Sequence, residues 1–561
     1  MKLNQTRFFA YPHPLFFLVC SVLLIAASLV APSASAQLVH NLTIGNAKAL
    51  AMANAVTADP PGIDSIHYNP AGLARITGRQ FQFKLLAGYY GLEETYGDRR
   101  LDRIVTTGDS PGIAASYEAI AGEAYPDDPV ENTSAFTDTP MLMLPGSGLT
   151  EVDTLLVPLV GIAIVDLDYG IVYATSIYSP QALGYQRDDN NSSRWQGQEF
   201  GLTRITYFAP SIGFKVSDTL SFGASLNISW QGLGLMTKIR APEFSFAFLN
   251  SFTDNLHDMG LPDSAVTSFS PYANIAELRV ELEDAFSVGY NLGVLWEPTP
   301  WFAVGFLYQS ETSSDLKGDY KMTYGDEWLG TTQSQLLQLA NPVIAALNGG
   351  YPLHAIQTEE GKATAELIKP QHVAIGTSLR VFPNWKVNID LKWIDYSQWE
   401  SLDIRFENSI DFLTLSDLVY RLMGTPDEER HATPSSVSFP QEYKSVVSWA
   451  FGVEYDYSDN LTLRCGYEPR KGIIPDRTAS PLTPLPDADL YSAGFQYVLD
   501  GYSTVQFGLG YLEATANLPA GTSKASNSLE PGRIIYNPYN YLDLETKISA
   551  YIVSLSYDTK F

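Results

Sequence analysis

The sequence is short of four things, and each shortage excludes something. Cysteine is nearly absent, with only Cys20 and Cys465 among 561 residues. A disulfide-stapled secreted scaffold is thereby excluded. Positive charge is scarce: 35 Lys and Arg stand against 62 Asp and Glu, for a formal net charge of −27. Phosphate backbones are bound through Lys and Arg, so nucleic acid is excluded as a partner. Beyond the N-terminal segment no run of about 18 apolar residues exists, which excludes a transmembrane helix there. Catalytic signatures are missing as well. There is no Gly-x-Ser-x-Gly, no His-Glu-x-x-His and no Walker loop. The histidines, among them His67, His257 and His372, are scattered. A barrel hydrolase needs a Ser, a His and a polar orienter together, and nothing marks such a set. No catalytic residue, metal site or cofactor is therefore expected.

The N-terminus carries a leader pattern. Lys2 and Arg7 precede an apolar run from Leu15 to Ala31, and Ala34-Ser35-Ala36 supplies a small-residue cleavage site. Residues 1–36 read as a secretory signal peptide cut before Gln37. Cleavage leaves Cys465 as the one cysteine, so the processed chain is expected to have no intrachain disulfide. It also removes two positive charges and makes the chain more acidic.

What the chain has in abundance is alternation. In "VSWAFGVEYDYSDNLTLRCGYEP", Trp449, Phe451, Val453 and Tyr455 share one face of an extended strand, and Gly452, Glu454 and Asp456 share the other. Ser458-Asp459-Asn460 makes a tight turn. Leu461, Leu463, Cys465 and Tyr467 then alternate with Thr462, Arg464, Gly466 and Glu468. One face suits lipid and the other a polar lumen, in runs of about ten residues, as in an outer-membrane β-barrel. A soluble sandwich also alternates, but it rarely places Tyr and Trp at so many strand ends. Interfacial girdles put them there.

The short-turn unit recurs at Asp166–Asp168, Ser217-Asp218-Thr219, Pro298-Thr299-Pro300, Pro383-Asn384 and Asp500-Gly501, giving six short turns in all. Seven long connections separate them, near Glu93–Asp153, Gly184–Gln198, Leu235–Asp284, Gly318–Glu366, Asp403–Glu442, Lys471–Asp487 and Ala516–Asn540. The expected fold is all-β: a fourteen-stranded antiparallel transmembrane barrel over residues 79–561, with periplasmic termini, short periplasmic turns and long outer loops. The C-terminal "SAYIVSLSYDTKF" sets Tyr551, Val553, Leu555, Tyr557 and Phe561 against Ser554, Ser556 and Asp558. It reads as the strand that closes against the first, leaving no open edge. The terminal Phe561 resembles an assembly signal. Outer-membrane lipid and the barrel-assembly machinery are thus expected partners, and a monomer is the expected state.

A barrel of this width is not filled by its own side chains, so a plug is expected. Residues 37–78 suit that role. Ala47, Ala49, Leu50, Ala51, Met52, Ala53 and Ala55 form a small-residue helix, Pro60-Pro61-Gly62 breaks it, and Asn69-Pro70-Ala71-Gly72 forms a turn.

"DSIHYNPAGLARI" resembles the N-terminal hatch motif of the FadL family of outer-membrane long-chain fatty-acid and hydrophobic-compound transporters (OmpP1/FadL/TodX type). "LGVLWEPTPWFAVGFLYQS", "KPQHVAIGTSLRV", "WKVNIDLKWIDYSQWESL", "NLTLRCGYEPRKGIIPD" and "PLPDADLYSAGFQYVLDG" are similar to later strands of that family, in family order. The resemblance covers nearly all of the processed chain. It implies a hydrophobic ligand captured on the outer loops, bound in the lumen above the hatch, and released sideways through a kink in the third strand. In "GIVYATSIYSPQALGY", Ser179-Pro180 matches the kink, but Gln181-Ala182 stands where the family commonly has Phe-Gly. Proline has no N–H for a ladder, so a gap in the wall is expected there. In "RWQGQEFG", Gln198 stands where the family often has arginine. The candidate lumen cations are then Arg204, Lys215, Arg380 and Arg464, with Arg204 and Arg464 foremost. The candidate ligand surface on the third outer loop is Phe244, Phe246, Phe248, Leu249 and Phe252; such a cluster marks a groove or a lid. "LLQLANPVIAALNGGYPL" reads as an amphipathic helix of the fourth loop, ended at Gly349-Gly350. Acidic pairs such as Asp127-Asp128 and Asp188-Asp189 read as solvated loop surface. Aromatic hydrocarbons remain an alternative cargo, and a general diffusion porin a further one.

Overall fold

The computed structural model describes residues 41–100, 122, 124, 126–152, 155–240, 272–422, 426, 430–528 and 537–561. The leader and the loop cluster Phe244, Phe246, Phe248, Leu249 and Phe252 lie outside the described residues. Fourteen strands run round one sheet. They are β1 (Arg79–Arg99), β2 (Leu155–Asp166), β3 (Ile171–Ser176 and Tyr178–Gln186), β4 (Glu199–Phe208 and Ser211–Lys215), β5 (Leu220–Arg240), β6 (Asn274–Thr299) and β7 (Phe302–Gln309 and Thr312–Tyr324). They continue as β8 (Thr358–Lys369 and His372–Phe382), β9 (Trp385–Ile394 and Ser401–Phe406), β10 (Ser436–Pro440 and Val446–Ser458), β11 (Leu461–Arg470), β12 (Ala488–Val498), β13 (Ser503–Leu518) and β14 (Leu542–Lys560). Each pairs antiparallel with its neighbour. β14 closes on β1 from Gln80↔Lys560 to Arg99↔Leu542, so the sheet has no free edge.

Alternation explains the two faces. Phe81, Phe83, Phe222, Leu226, Val288, Leu292, Ile375 and Leu391 are exposed to the outside, where lipid lies, while Gln82, Lys84, Ser225, Asn291 and Asp390 are buried toward the lumen. All six short turns connect strands at the end opposite the seven long loops. The strands reach further than the sequence pattern suggests. β5 and β6 extend to 21 and 26 residues, well past the ~9–11 that a bilayer needs. In the outer part of β6 the alternation inverts: Leu278, Val280 and Leu282 point into the lumen, and Arg279, Glu281 and Glu283 point outward. A search for apolar lipid faces reads such a segment as loop.

The chain before β1 folds inside the barrel. Helix α1 is Ala47–Ala51, shorter than the alanine run implies. Ala53 and Asn54 adopt positive φ of 47° and 61° and turn the chain before the prolines are reached. A 3-10 turn (Gly62–Asp64), helix α2 (Ser65–Tyr68) and a second 3-10 segment (Pro70–Arg75) complete the plug. Wall glycines let it dock closely. Gly213 and Gly223 face Leu73 and Pro70, Gly293 faces Asn69, and Gly466 and Gly508 face Met52 and Ala47. A Cβ on Gly223 would stand 2.1 Å from the Pro70 carbonyl carbon, so only glycine fits that contact.

Candidate functional site

Asn69 organises the plug's turn. Its side-chain oxygen accepts from Ala71 N at 3.2 Å and its amide donates to Thr57 O at 2.8 Å and to Val294 O on β6 at 3.1 Å. Asn69 is thus the cap of the Pro70–Arg75 segment, with Pro70 at its first position. Asn69, Pro70, Ala71 and Gly72 are all buried.

Ion pairs fasten plug to wall. Lys84 on β1 donates to Asp64 Oδ1 at 2.7 Å and to Ile44 O at 3.1 Å, with both charged side chains fully buried. Asp59 receives Lys48 and Lys386 at 2.7 Å and Arg75 at 3.0 Å. Lys386 continues to Glu454 at 2.5 Å, and Glu454 to Arg464 at 2.6 Å. Removing one partner of a buried pair costs about 3–5 kcal/mol because the other charge is stranded. Lys84→Met is therefore expected to loosen the plug while the closed sheet still forms. A cysteine at Ala71, which is 0% exposed, should become labelled by a periplasmic maleimide in that background and stay protected in its absence. Equal protection in both would show that this pair does not hold the plug.

The ladder between β2 and β3 stops just before Ser179-Pro180. Below the break Ser176 pairs with Gly161 of β2, and the last bond is Ile177 N to Val160 O at 2.9 Å. The next backbone bond on that edge joins Gln186 N to Thr139 O at 3.0 Å. Between these points the described part of β2 pairs only with β1. On its other side β3 bulges against β4: Tyr178 pairs with Thr206 and Gln181 with Arg204, one residue more on β3 than on β4. Ser179 Oγ donates to Arg204 O at 2.8 Å, and the plug's Thr43 donates to Ser179 O at 2.8 Å. Ser179 and Pro180 thus sit at the lip of a slit in the wall and in contact with the plug. A hairpin from the first outer loop, Met141–Leu144 with Gly148–Glu151, packs beside the slit on the outer side of β3 to β5, where Gly184, Gly201 and Gly234 leave it room.

Inside the slit lies a cationic floor. Arg204 is buried and bonds only neutral groups: Ser287 at 2.9 Å, Gln231 at 3.3 Å and Ser314 at 3.5 Å. Lys369 of β8 lines the same small space, together with His67, Tyr178 and Pro180. Among the described residues no carboxylate comes within ion-pair distance of either cation. The enclosed space is about 10 Å³, room for about one water. Directly above, one lumen-facing position further out on each strand, the wall turns apolar: Leu202 precedes Arg204, Leu367 precedes Lys369, and Leu233 follows Gln231. These residues, with Phe200, Leu316 and Trp399, line a cavity of about 530 Å³. The cavity also reaches outward-facing Asp315, Lys317, Glu366 and Arg405. It does so because the β8–β9 ladder stops at Ala365↔Ile404 and resumes at His372↔Ile394. Trp399 Nε1 donates to Ile368 O across that interval.

The other sequence candidates fall elsewhere. Arg464 is occupied by Glu454, Gln496 and Gln506 at 2.6–2.8 Å. Arg380 pairs with Asp456 at 3.1 Å near the periplasmic rim, and Lys215 is exposed at the same end. Gln198 turns to Asp189 at 2.7 Å, away from the floor. Asp128 is buried against Arg240 at 2.8 Å rather than solvated. Lys369 was missed, although "KPQHVAIG" contains it; a lone lysine before a proline carries no signal until β4 and β8 are seen across one lumen.

The outer loops cap the cavity. Helix α3 (Asp326–Thr332) and helix α5 (Asp411–Leu422) insert Trp328, Phe412 and Leu413 among Tyr324, Phe406 and Leu278. Helix α4 (Gln335–Leu347), capped by Ser334 and ended by Gly349 and Gly350 at positive φ, leaves Leu339, Val343 and Leu347 exposed along one face.

A plugged barrel with an apolar outer lumen and a slit in its wall is the form of a transporter for hydrophobic compounds in the Gram-negative outer membrane. The sequence agrees. The profile described as "Outer membrane protein transport protein (OMPP1/FadL/TodX)" matches residues 24–561, and the chain belongs to that family. Its members are non-enzymatic channels, and this chain transports hydrophobic compounds across the outer membrane. It is similar to the long-chain fatty acid transport protein of Escherichia coli O6:H1, at 24% identity over 365 residues, 64% of this chain and 70% of that one. The protein of the same description from Salmonella typhi is 25% identical over 224 residues, 40% of this chain and 42% of that one. Among solved structures, the fold resembles a Pseudomonas aeruginosa FadL homologue at TM-score 0.60 and 16% identity, covering 94% of this chain and 100% of that one. The Pseudomonas putida toluene transporter TodX gives TM-score 0.53 and 14% identity, covering 92% and 99%.

Proposed function

We propose that this barrel takes up long-chain fatty acids, with the carboxylate held at Arg204 and Lys369 and the chain along the apolar lumen wall above, formed by Phe200, Leu202, Leu233, Leu316 and Leu367. The observation that carries this reading is the pair of cations with no acidic partner among the described residues. Burying an uncompensated charge is costly, and an amphiphilic anion would relieve it. An uncharged aromatic hydrocarbon would leave both cations as they are, which weighs against that cargo. The cavity of about 530 Å³, which spans this lumen wall and the β8–β9 gap, is of the size of usual ligand sites, about 300–1,000 Å³. The exposed stripe Leu339, Val343 and Leu347 supplies an apolar first contact outside. The tight space at Pro180 supports a closed resting state, so passage requires Tyr178 or the plug to move. Release then follows the slit at Ser179-Pro180 into the bilayer. Mass spectrometry of protein purified in a detergent without carboxylates tests the cargo. A co-purifying fatty acid, exchanged by added palmitate and not by toluene, is expected. Exchange by toluene alone would favour aromatic hydrocarbons, and a large steady conductance without any bound amphiphile would favour a porin.

A further inference from the structure

Two buried carboxylates meet one imidazole in the outer cap of the lumen, apart from Arg204, Lys369 and the slit. Glu359 lies near the start of β8 on its lumen-facing side, Asp411 is the first residue of α5, and His354 stands in the segment that leads into β8. His354 Nδ1 is 2.8 Å from Glu359 Oε1 and 3.1 Å from Asp411 Oδ1. One donor atom from each residue lies within 4.8 Å of the other two. The Glu359 and Asp411 side chains are 4% and 0% exposed, and among the described residues no Lys or Arg pairs with either.

The surroundings orient the donors. Tyr324 Oη donates to Glu359 Oε2 at 2.5 Å, and Asp411 N to the same oxygen at 3.1 Å. Asp411 accepts the backbone N–H groups of His354 and Ala355 at 2.7 Å. Outer contacts of this kind fix ligands in metal centres.

We propose that His354, Glu359 and Asp411 bind a first-row transition-metal dication of the zinc class. Ligands about 2.0–2.2 Å from zinc stand roughly 3–3.5 Å apart; the His354 nitrogen lies 2.8 and 3.1 Å from its two oxygens, a hydrogen-bonded contact that opens slightly to take the ion. A mixed imidazole and carboxylate set favours zinc over calcium or magnesium, which take oxygen ligands. His354 is 38% exposed on its side chain, which leaves a way in for the ion and a side for a water ligand. The bound ion would tie the segment before β8 to the start of α5, and so fasten the cap of the lumen.

The test uses the full processed chain without a histidine tag, stripped with chelator and dialysed. Zinc is titrated against a chromophoric chelator, and X-ray absorption reports the ligands. One tight zinc per chain is expected, with a nitrogen and oxygen shell near 2.0–2.2 Å. Millimolar calcium should not displace it. His354→Ala and Glu359→Gln should each weaken it at least ~10-fold. Heat-modifiable gel mobility verifies that each variant is a folded barrel, and His354→Ala removes only a half-exposed ring, so it stays informative if Glu359→Gln misfolds. The proposal is overturned if the wild-type chain takes up no stoichiometric zinc, if calcium competes equally, or if His354→Ala binds like wild type.

Discussion

Replacing Arg204 and Lys369 together by alanine is expected to weaken palmitate binding by about 100-fold or more and to leave toluene binding nearly unchanged. Hydrogen bonds to charged groups contribute roughly 1.5–3 kcal/mol each, and each ~1.4 kcal/mol is a tenfold change in affinity. The same substitution should not harm the barrel. Among the described residues Arg204 bonds only Ser287, Gln231 and Ser314, so its loss strands no buried anion there, and thermal stability should hold or rise. Arg464→Ala makes the contrast. It would leave Glu454, 2.6 Å away and buried, short of one partner, so it should lower stability and spare palmitate affinity. Titration calorimetry and thermal melts on the same preparations read both quantities. If the double variant binds palmitate as tightly as wild type, the carboxylate lies elsewhere and the proposed orientation fails.

Deleting Pro180 is expected to abolish most fatty-acid uptake while folded barrel continues to accumulate. β3 carries one residue more than β4 between Tyr178↔Thr206 and Gln181↔Arg204, and that residue produces the bulge. Removing it brings the two strands into register and lets the upper part of β3 approach β2. Substitution alone would restore an N–H but keep the extra residue. The effect is large because the alternative route is wet: each methylene exposed to water costs ~0.8 kcal/mol, so a long chain does not leave through an aqueous exit at comparable speed. Uptake of radiolabelled palmitate, normalised to heat-modifiable barrel, measures it. Undiminished uptake through a wall shown to be closed would mean that ligand leaves past the plug. Loss of uptake together with loss of barrel would instead call for the milder Gln181→Phe, the residue common in the family, whose uptake should remain measurable.

Much of this was legible in the sequence, for a physical reason. A membrane barrel must alternate, because one face of every strand meets lipid and the other meets water or plug. That local constraint made the fourteen strands and the six short turns readable from period and turn residues alone, whereas the Ser179-Pro180 kink was expected from the resemblance to the family. Asn69-Pro70-Ala71-Gly72 was readable for the same reason, since its turn chemistry is local. Where the constraint lapsed, the reading lapsed. The outer parts of β5 and β6 stand clear of lipid, with Leu278, Val280 and Leu282 turned inward, and so they passed for loop. The plug's helix passed for longer than it is, because the left-handed Ala53 and Asn54 follow from docking against Gly452 and Gly466 rather than from propensity.

Charge pairing was legible only within a hairpin. Arg464 stands opposite Glu454 across the Ser458-Asp459-Asn460 turn, a pairing of chain neighbours. Only the closed barrel shows that Arg204 faces serines, Gln231 and, across the lumen, the side of β8 that carries Lys369. The same holds for His354, Glu359 and Asp411, which come from a loop, a strand and a helix more than fifty residues apart at the extremes. Periodicity is a property of neighbours in the chain, so sequence alone determined the strands and their faces. Which buried charge lacks a partner depends on residues brought together by closure, and only the tertiary structure decided that.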